Sequence, residues 1–142
     1  MKILVLNGPN LNLLGTREPA VYGRETWAEV EKRLHALAAV LGCQVTVLQS
    51  NHEGDLVDAM QNLEGIDGVI LNAAALTHTS ISLRDAVSAV TIPVMEVHIT
   101  NIAAREEFRR QSLLTAVCRG IISGMGTSGY LLALRFLTGK VE

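Results

Sequence analysis

Five short apolar runs, separated by segments with helical periodicity, constrain the fold of this chain more than any other feature. The runs are KILVLN (2–7), QVTVLQ (44–49), GVILN (68–72), IPVMEVHI (92–99) and RGIISG (119–124). They are rich in β-branched residues and do not alternate strictly between polar and apolar, which is typical of strands covered on both faces. Strands that alternate with helices favour right-handed crossovers and a parallel sheet.

The segments between these runs carry the spacing of amphipathic helices. Helices are predicted over residues 26–41, 53–63, 80–90, 105–118 and 129–139. Thr26 and Glu29 form a capping-box pattern at the first helix start, and Gly42 follows its end. We therefore predict an α/β fold, a flavodoxin-like doubly wound five-stranded parallel sheet in the order 2-1-3-4-5, with helices on both faces.

The size and composition of the chain restrict its class. Its 142 residues predict one domain, 1–142, and a hydrophobic content of 49% suffices for a buried core. A net charge of −2 gives no reason to expect nucleic acid as a partner. No run of about 18 apolar residues predicts a membrane span, and the short apolar start is typical of a strand rather than a signal peptide. Cys43 and Cys118 fit no metal spacing, so we expect reduced core cysteines and a cytoplasmic protein.

Unusual polar residues stand at the ends of the first four apolar runs. They lie in NGPN (7–10), QSNHEG (49–54), NAAALTHTS (72–80) and EVHITN (96–101). Three of the four histidines, all except His35, lie in these segments. Because ligands of open α/β sheets bind outside the carboxyl ends of the strands, the pattern predicts a binding or catalytic crevice there.

Several kinds of site have little support in this sequence. GMGTSG (124–129) fits the G-x-G-x-x-G pattern, but it follows the last strand instead of the first, so a tight turn with close helix packing is the simpler interpretation. No ligand spacing indicates a metal, and there is no G-x-S-x-G nucleophile elbow. A flavodoxin-like nucleotide- or flavin-binding module stays open as the alternative to an enzyme.

Acid–base chemistry without a metal is the remaining hypothesis. Glu96 and His98 are two apart on one predicted strand, so their side chains share a face, and a carboxylate there favours the protonated imidazole. Tyr22 and Arg17 lie in the loop GTREPAVYGRE (15–25), called the lid below. A free tyrosine is only about one part in a thousand ionised near pH 7, a deficit of about 4 kcal/mol. One cation about 4 Å away supplies about that much at an effective dielectric near 20, so Arg17 would make Tyr22 usable as a base.

The ordered series of motifs resembles the type II 3-dehydroquinate dehydratases over nearly the whole chain. The series comprises NGPNLNLLGTREPAVYG (7–23), QSNHEG (49–54), THTSISLRDA (77–86), EVHITNIAAREEFR (96–109) and GYLLALRFL (129–137). The resemblance implies dehydration of 3-dehydroquinate to 3-dehydroshikimate with no metal and no cofactor. It implies that Tyr22, as a phenolate, removes the C2 proton, and that Arg17 favours this form and anchors the lid. Asn10 would hold a water that stabilises the resulting enolate, and His98, with Glu96 as its partner, would protonate the departing hydroxyl.

The same resemblance implies binding roles and an assembly. The substrate ligands would be the side chains of Asn72, His78 and Arg109 and the backbone amides of Ile99 and Thr100. Asp85 would reach the site of a neighbouring subunit in a dodecamer built from trimers. Ordinary alternatives are a solvent-facing Asp85 and an ion pair of Arg109 with Glu106. Thr100 stands where serine is usual and Ala103 where histidine is common, and neither is expected to change the chemistry.

Overall fold

The computed structural model describes residues 1–140, and the last two residues of the predicted domain 1–142 lie outside it. Five strands form one sheet in the order β2-β1-β3-β4-β5. They are β1 (Lys2–Asn7), β2 (Gln44–Gln49), β3 (Gly68–Asn72), β4 (Val94–His98) and β5 (Gly120–Ser123). Every pairing is parallel, so the predicted sheet and its strand order are confirmed.

Helices cover both faces of this sheet. They are α1 (Pro19–Tyr22), α2 (Trp27–Leu41), α3 (Glu53–Gln61), α4 (Ile81–Ala89) and α5 (Ser128–Leu137). Leu34 of α2 and Leu134 of α5 belong to the apolar core on one face, and Leu56 of α3 and Leu83 of α4 to the core on the other. Both cores enclose strand residues, which explains the continuous apolar runs.

The predicted capping box opens α2. Thr26 N–H donates to the Glu29 carboxylate at 2.7 Å, and Glu29 N–H donates to Thr26 Oγ1 at 3.3 Å. Gly42 ends the helix in the left-handed conformation, with φ of 70°. Cys43 and Cys118 are free, as expected, but both are only partly buried against the two cores.

The helix predicted over residues 105–118 is wrong. Short 3-10 turns at Glu107–Arg109 and Thr115–Val117 lie in its place, and another, Ile102–Ala104, comes just before it. Ser112 explains part of the difference, because its Oγ accepts the backbone N–H groups of Leu114 and Thr115 at 3.0 and 3.1 Å and competes with helical bonding. The charged first half offers few apolar side chains for packing, and Phe108 is 70% exposed.

The lid contains one helical turn that the sequence analysis did not predict. Pro19 occupies the first position of α1, where its missing N–H costs nothing, and Tyr22 is the last residue. Glu18 before it has φ of 42°, one of three positive values at non-glycine residues within residues 1–140. The other two are Asn10 and Ala74, at 69° and 51°, and both line the pocket described next. Backbone strain thus concentrates around one site, as it does at many functional sites.

Candidate active site

A pocket opens at the carboxyl ends of β1, β3 and β4, where the crevice was predicted. Asn7 of β1 pairs with Asn72 of β3, so the pocket lies at the point where the strand order reverses. Gly8 is required there, because a Cβ on it would lie 2.4 Å from Ala73 O. The residues that line the pocket are Pro9, Asn10, Leu11, Leu14, Arg17, Tyr22, Asn72, Ala74, Ala75, His78, His98, Ile99, Thr100, Ile102, Arg105 and Arg109.

A buried hydrogen-bonded chain forms the floor between β1 and β3. Asn72 Nδ2 donates to Tyr130 Oη at 2.7 Å, and Tyr130 Oη donates to Asn7 Oδ1 at 2.9 Å. Burial raises the pKa of Tyr130 well above its usual range despite the bond from Asn72, so the phenol stays neutral and donates. Asn72 Oδ1 in turn accepts the N–H of Ala74 at 3.1 Å, which holds the strained residue in the pocket wall.

His98 and Glu96 form the wall at the end of β4. His98 Nε2 lies 2.6 Å from Glu96 Oε1, and both side chains are nearly inaccessible, so the predicted contact is confirmed. Glu96 does not line the pocket but lies behind His98. Burial raises the pKa of Glu96, but hydrogen bonds from His98, Ser112 and Thr115 outweigh it and hold the pKa below its ordinary value. Glu96 is therefore a carboxylate at neutral pH.

Tyr22 lines another wall of the pocket, and two guanidinium groups lie near its ring. The Arg17 Cζ lies 5.2 Å from the centre of the Tyr22 ring, so the lid does bring the predicted pair together. Arg17 stacks on the ring, however, and Arg105 is the residue beside the oxygen: its Nη1 and Nη2 each donate to Tyr22 Oη at 3.4 Å. This hydrogen bond raises the pKa of Arg105 above its ordinary value, so the guanidinium is charged.

Arg105 was not identified as a site residue from the sequence, because residues 105–118 were predicted to form a helix. A signal was available, since Arg105 closely follows the polar segment at the end of the fourth strand. The side chain also donates to Thr100 Oγ1 at 3.1 Å. The threonine at this position therefore helps to hold Arg105, which is a role for its side chain beyond that of its backbone.

Donors suited to an anion lie between these two walls. Within residues 1–140, the backbone N–H groups of Ile99 and Thr100 donate to no protein acceptor. Arg109 also lines the pocket, and its Nε lies 3.2 Å from the Glu106 carboxylate, so the expected ion pair and the pocket position coexist. The two N–H groups and the guanidinium together provide a site that a carboxylate or hydroxyl can occupy.

Asn10 and His78 line the remaining sides of the pocket. Asn10 N–H donates to Asn51 Oδ1 at 3.0 Å, and the Asn10 backbone is left-handed, with φ of 69°. His78 Nδ1 lies 2.7 Å from the carbonyl oxygen of Gln111. A carbonyl oxygen only accepts, so Nδ1 of His78 carries a proton and donates it to this bond.

Three features singled out in the sequence lie outside the pocket. Asp85 lies on α4 and lines no part of it, and His52, although it follows β2, is exposed and does not line it either. The GMGTSG turn also stays behind the wall: Gly124 N–H donates to His98 O and Gly126 N–H to Ile99 O, at 3.2 and 3.0 Å. These two amides hold the end of β4 and are not free to bind a phosphate.

Two other classes of site find no support in residues 1–140. No cluster of three or more His, Cys, Asp or Glu side chains in this part of the chain is arranged to hold a metal ion. The described helices are all too short or too polar to serve as a membrane span.

Comparisons with known proteins agree with this geometry. The family described as "Dehydroquinase class II" matches residues 1–138. A protein of Endomicrobium trichonymphae named 3-dehydroquinate dehydratase is 58% identical over 135 residues, which are 94% of each chain. One of Bacillus subtilis with the same name is 52% identical and covers 96% of this chain and 93% of its own. The crystal structure of type II dehydroquinase from Butyrivibrio crossotus superposes with a TM-score of 0.95 at 44% identity, covering 96% of this chain and 97% of that one. This chain belongs to the class II dehydroquinase family.

Proposed function

We propose that this chain dehydrates 3-dehydroquinate to 3-dehydroshikimate, the reaction for which its relatives are named. The observation that carries the proposal is that two groups suited to proton transfer line one pocket. Tyr22 Oη is hydrogen-bonded by the Arg105 guanidinium on one wall, and His98 is hydrogen-bonded to a buried carboxylate on the other. An elimination of water needs such a pair, since one group removes a proton while the other protonates the leaving hydroxyl.

Tyr22 acts as the base in this proposal. As a phenolate, Tyr22 would lie close to two positively charged guanidinium groups, those of Arg17 and Arg105. Arg105 is the closer cation to the oxygen, while Arg17 covers the ring face and keeps the lid against the pocket. We therefore divide between two arginines the role that the resemblance implied for Arg17 alone.

His98 acts as the acid. Its Nε2 is bound to Glu96 Oε1, and the ring lines the pocket, so a proton on Nδ1 is the one available to a substrate. The imidazolium is the only form of the ring that has protons on both nitrogens, and in this proposal its positive charge lies against the carboxylate of Glu96. After donation the ring is neutral with its remaining proton on Nε2, still bonded to the carboxylate.

The remaining pocket residues bind and orient the substrate. The free N–H groups of Ile99 and Thr100 suit its carboxylate, and the side chains of Asn72, His78 and Arg109 suit its hydroxyl groups. Asn10 holds the water that stabilises the enolate oxygen, as a positioned donor does for a developing negative charge.

Asp85 has its proposed role in an assembly. It lies outside the pocket, one helical turn from Ile81, which is 64% exposed. An apolar side chain beside a carboxylate on one helix face suits a contact between subunits, which supports the dodecamer of trimers with Asp85 reaching a neighbouring site. Sedimentation of the active preparation tests this; a monomer with full activity would contradict it.

A direct assay tests the reaction. Purified chain, treated with a chelator because the resemblance implies no metal, is mixed with 3-dehydroquinate. We expect the ultraviolet absorbance of the conjugated product to rise at a rate proportional to the protein concentration. No change above the buffer rate at micromolar protein would overturn the proposed function.

A further inference from the structure

Two hydroxyl groups bind the carboxylate behind His98. Ser112 Oγ lies 2.6 Å from Glu96 Oε1, and Thr115 Oγ1 lies 2.5 Å from Glu96 Oε2. The lone pairs of Ser112 Oγ are already used, because they accept the N–H groups of Leu114 and Thr115. Its single hydroxyl proton is therefore left for Glu96, and the bond runs from Ser112 to the carboxylate.

Three donors converge on Glu96 in this arrangement. Oε1 receives the N–H of His98 and the O–H of Ser112, and Oε2 receives the O–H of Thr115. A neutral carboxyl would bring its own proton into this set and replace one acceptor by a donor. The set therefore matches the ionised form, which agrees with the lowered pKa of Glu96 despite complete burial.

We propose that Ser112 and Thr115 are positioning residues for the acid: by holding Glu96 ionised and oriented, they keep a transferable proton on the pocket side of His98. Neither hydroxyl lines the pocket, so neither touches the substrate. The inference rests on the proposed function only where it makes His98 the acid; the effect on the charge of Glu96 is independent of it.

The charges around Glu96 are few. Within residues 1–140, the titratable groups that face it are His98 on its own strand and Cys118, which follows Thr115–Val117. Burial, and after it the charge of Glu96, raises the pKa of Cys118 to about 12, so the thiol stays neutral. The ionisation of Glu96 is thus set by His98 and the two hydroxyls.

Thr115→Val tests the inference, because valine keeps the shape and removes the hydroxyl. Thr115→Ser restores the hydroxyl, and Thr138→Val is the matched control: Thr138 is also partly buried, but its Oγ1 donates to backbone carbonyls of α5 away from the pocket. The measurements are kcat and KM as functions of pH, and the nitrogen chemical shifts of the histidine rings during a pH titration.

Thr115→Val should lower kcat about tenfold with KM within about twofold, since one hydrogen bond to a charged group is lost away from the substrate. The pH at which Glu96 takes up a proton should rise, because Glu96 with one donor fewer binds a proton more readily. The shift of the His98 ring should move with it. Thr115→Ser should restore both, and Thr138→Val should move neither.

Two outcomes are decisive. If the wild type dehydrates the substrate but Thr115→Val leaves kcat and the His98 titration unchanged, the inference is overturned and the proposed function stands. If the wild type does not dehydrate the substrate, the proposed function fails, and the His98 titration of Thr115→Val still decides whether the hydroxyl sets the charge of Glu96.

Discussion

The two walls of the pocket are built in different ways. On the acid wall, Glu96 and His98 lie on a central strand and are 0% and 5% exposed. On the base wall, Tyr22 lies on a single helical turn outside the sheet, and the Arg17 side chain beside it is 35% exposed. The sheet therefore holds the proposed acid, His98, in place, whereas the position of the proposed base, Tyr22, depends on the lid.

The difference reflects how each wall is held. The lid contains two glycines with positive φ, Gly15 and Gly23, and within α1 no residue is buried. Segments with few buried apolar contacts open at a low free-energy cost. The fixed point of the lid is Glu25. Its carboxylate accepts hydrogen bonds from Arg33 of α2 at 2.8 and 3.1 Å and from Thr127, which precedes α5. Substitutions on the lid should therefore alter activity more than stability, and substitutions on the acid wall should alter both.

The largest effect is expected from Tyr22→Phe. Phenylalanine keeps the ring that packs between the guanidinium groups and removes only the oxygen, so kcat should fall by a factor of about 100 to 10,000, the usual range for loss of a general base. The free energy of unfolding should change by less than about 0.5 kcal/mol. Steady-state kinetics and urea denaturation measure the two quantities.

The other tyrosine of the chain is the matched control. Tyr130→Phe removes a buried hydroxyl from between Asn7 and Asn72, so unfolding should become easier by about 1–3 kcal/mol while much of the turnover remains. If Tyr22→Phe and Tyr130→Phe lost turnover equally, the Tyr22 oxygen would have no special role. The proposed difference between the two pocket walls would then be wrong.

Glu96→Gln should lower both kcat and the free energy of unfolding, and the effect on kcat should be smaller than that of Tyr22→Phe. The amide oxygen can face His98 and Ser112 while its nitrogen faces Thr115, so the fold survives, but the charge-assisted bonds are lost, at about 1–3 kcal/mol. Without the carboxylate the His98 ring loses its charged hydrogen-bond partner, so kcat should fall as well. Glu31→Gln is the control, because Glu31 forms a carboxylate–imidazole pair with His35 at 3.6 Å on the surface.

The stability difference between wild type and Glu96→Gln should depend on pH, and this dependence provides a further test. The folded pKa of Glu96 lies below its ordinary value, so its ionisation stabilises the fold fully at pH values above that ordinary value. The stabilisation is lost as the pH falls through the folded pKa. Urea denaturation should therefore show the gap between wild type and Glu96→Gln at pH 7 and a shrinking gap in acid. A gap that grows in acid would contradict the assignment of Glu96 as an ion.

Much of the acid wall was predictable from local pattern. Apolar runs indicated the strands, and the two-residue period of a strand is enough to place Glu96 and His98 on one face. The proximity of Arg17 to Tyr22 was predictable, because the two residues are five apart in one loop. The spacing did not indicate whether Arg17 would contact the ring or the oxygen of Tyr22.

The parts that escaped prediction depend on contacts distant in sequence. Arg105 reaches Tyr22 across 83 positions, and Thr115 reaches Glu96 across 19. Both lie in the segment 105–118, where the helical spacing of apolar residues was outweighed by the hydroxyl bonds of Ser112 and by two arginines drawn to the pocket. Tertiary bonds of this kind override weak local propensity, so periodicity alone does not reveal them.

The smallest effect is expected at the fixed point of the lid. Thr127 precedes α5 but its side chain caps no backbone N–H there, so Thr127→Val leaves the helix start intact and removes the bond to Glu25. A bond from a hydroxyl to a partly exposed carboxylate contributes about 1 kcal/mol. If the lid closes over the substrate from this point, KM should rise about fivefold, the equivalent of that energy, with kcat nearly unchanged. Thr138→Val, at the other end of α5, should leave KM unaltered. An unchanged KM in Thr127→Val, with the same loss of stability in both variants, would mean that the contact supports the fold only and that closure of the lid begins elsewhere.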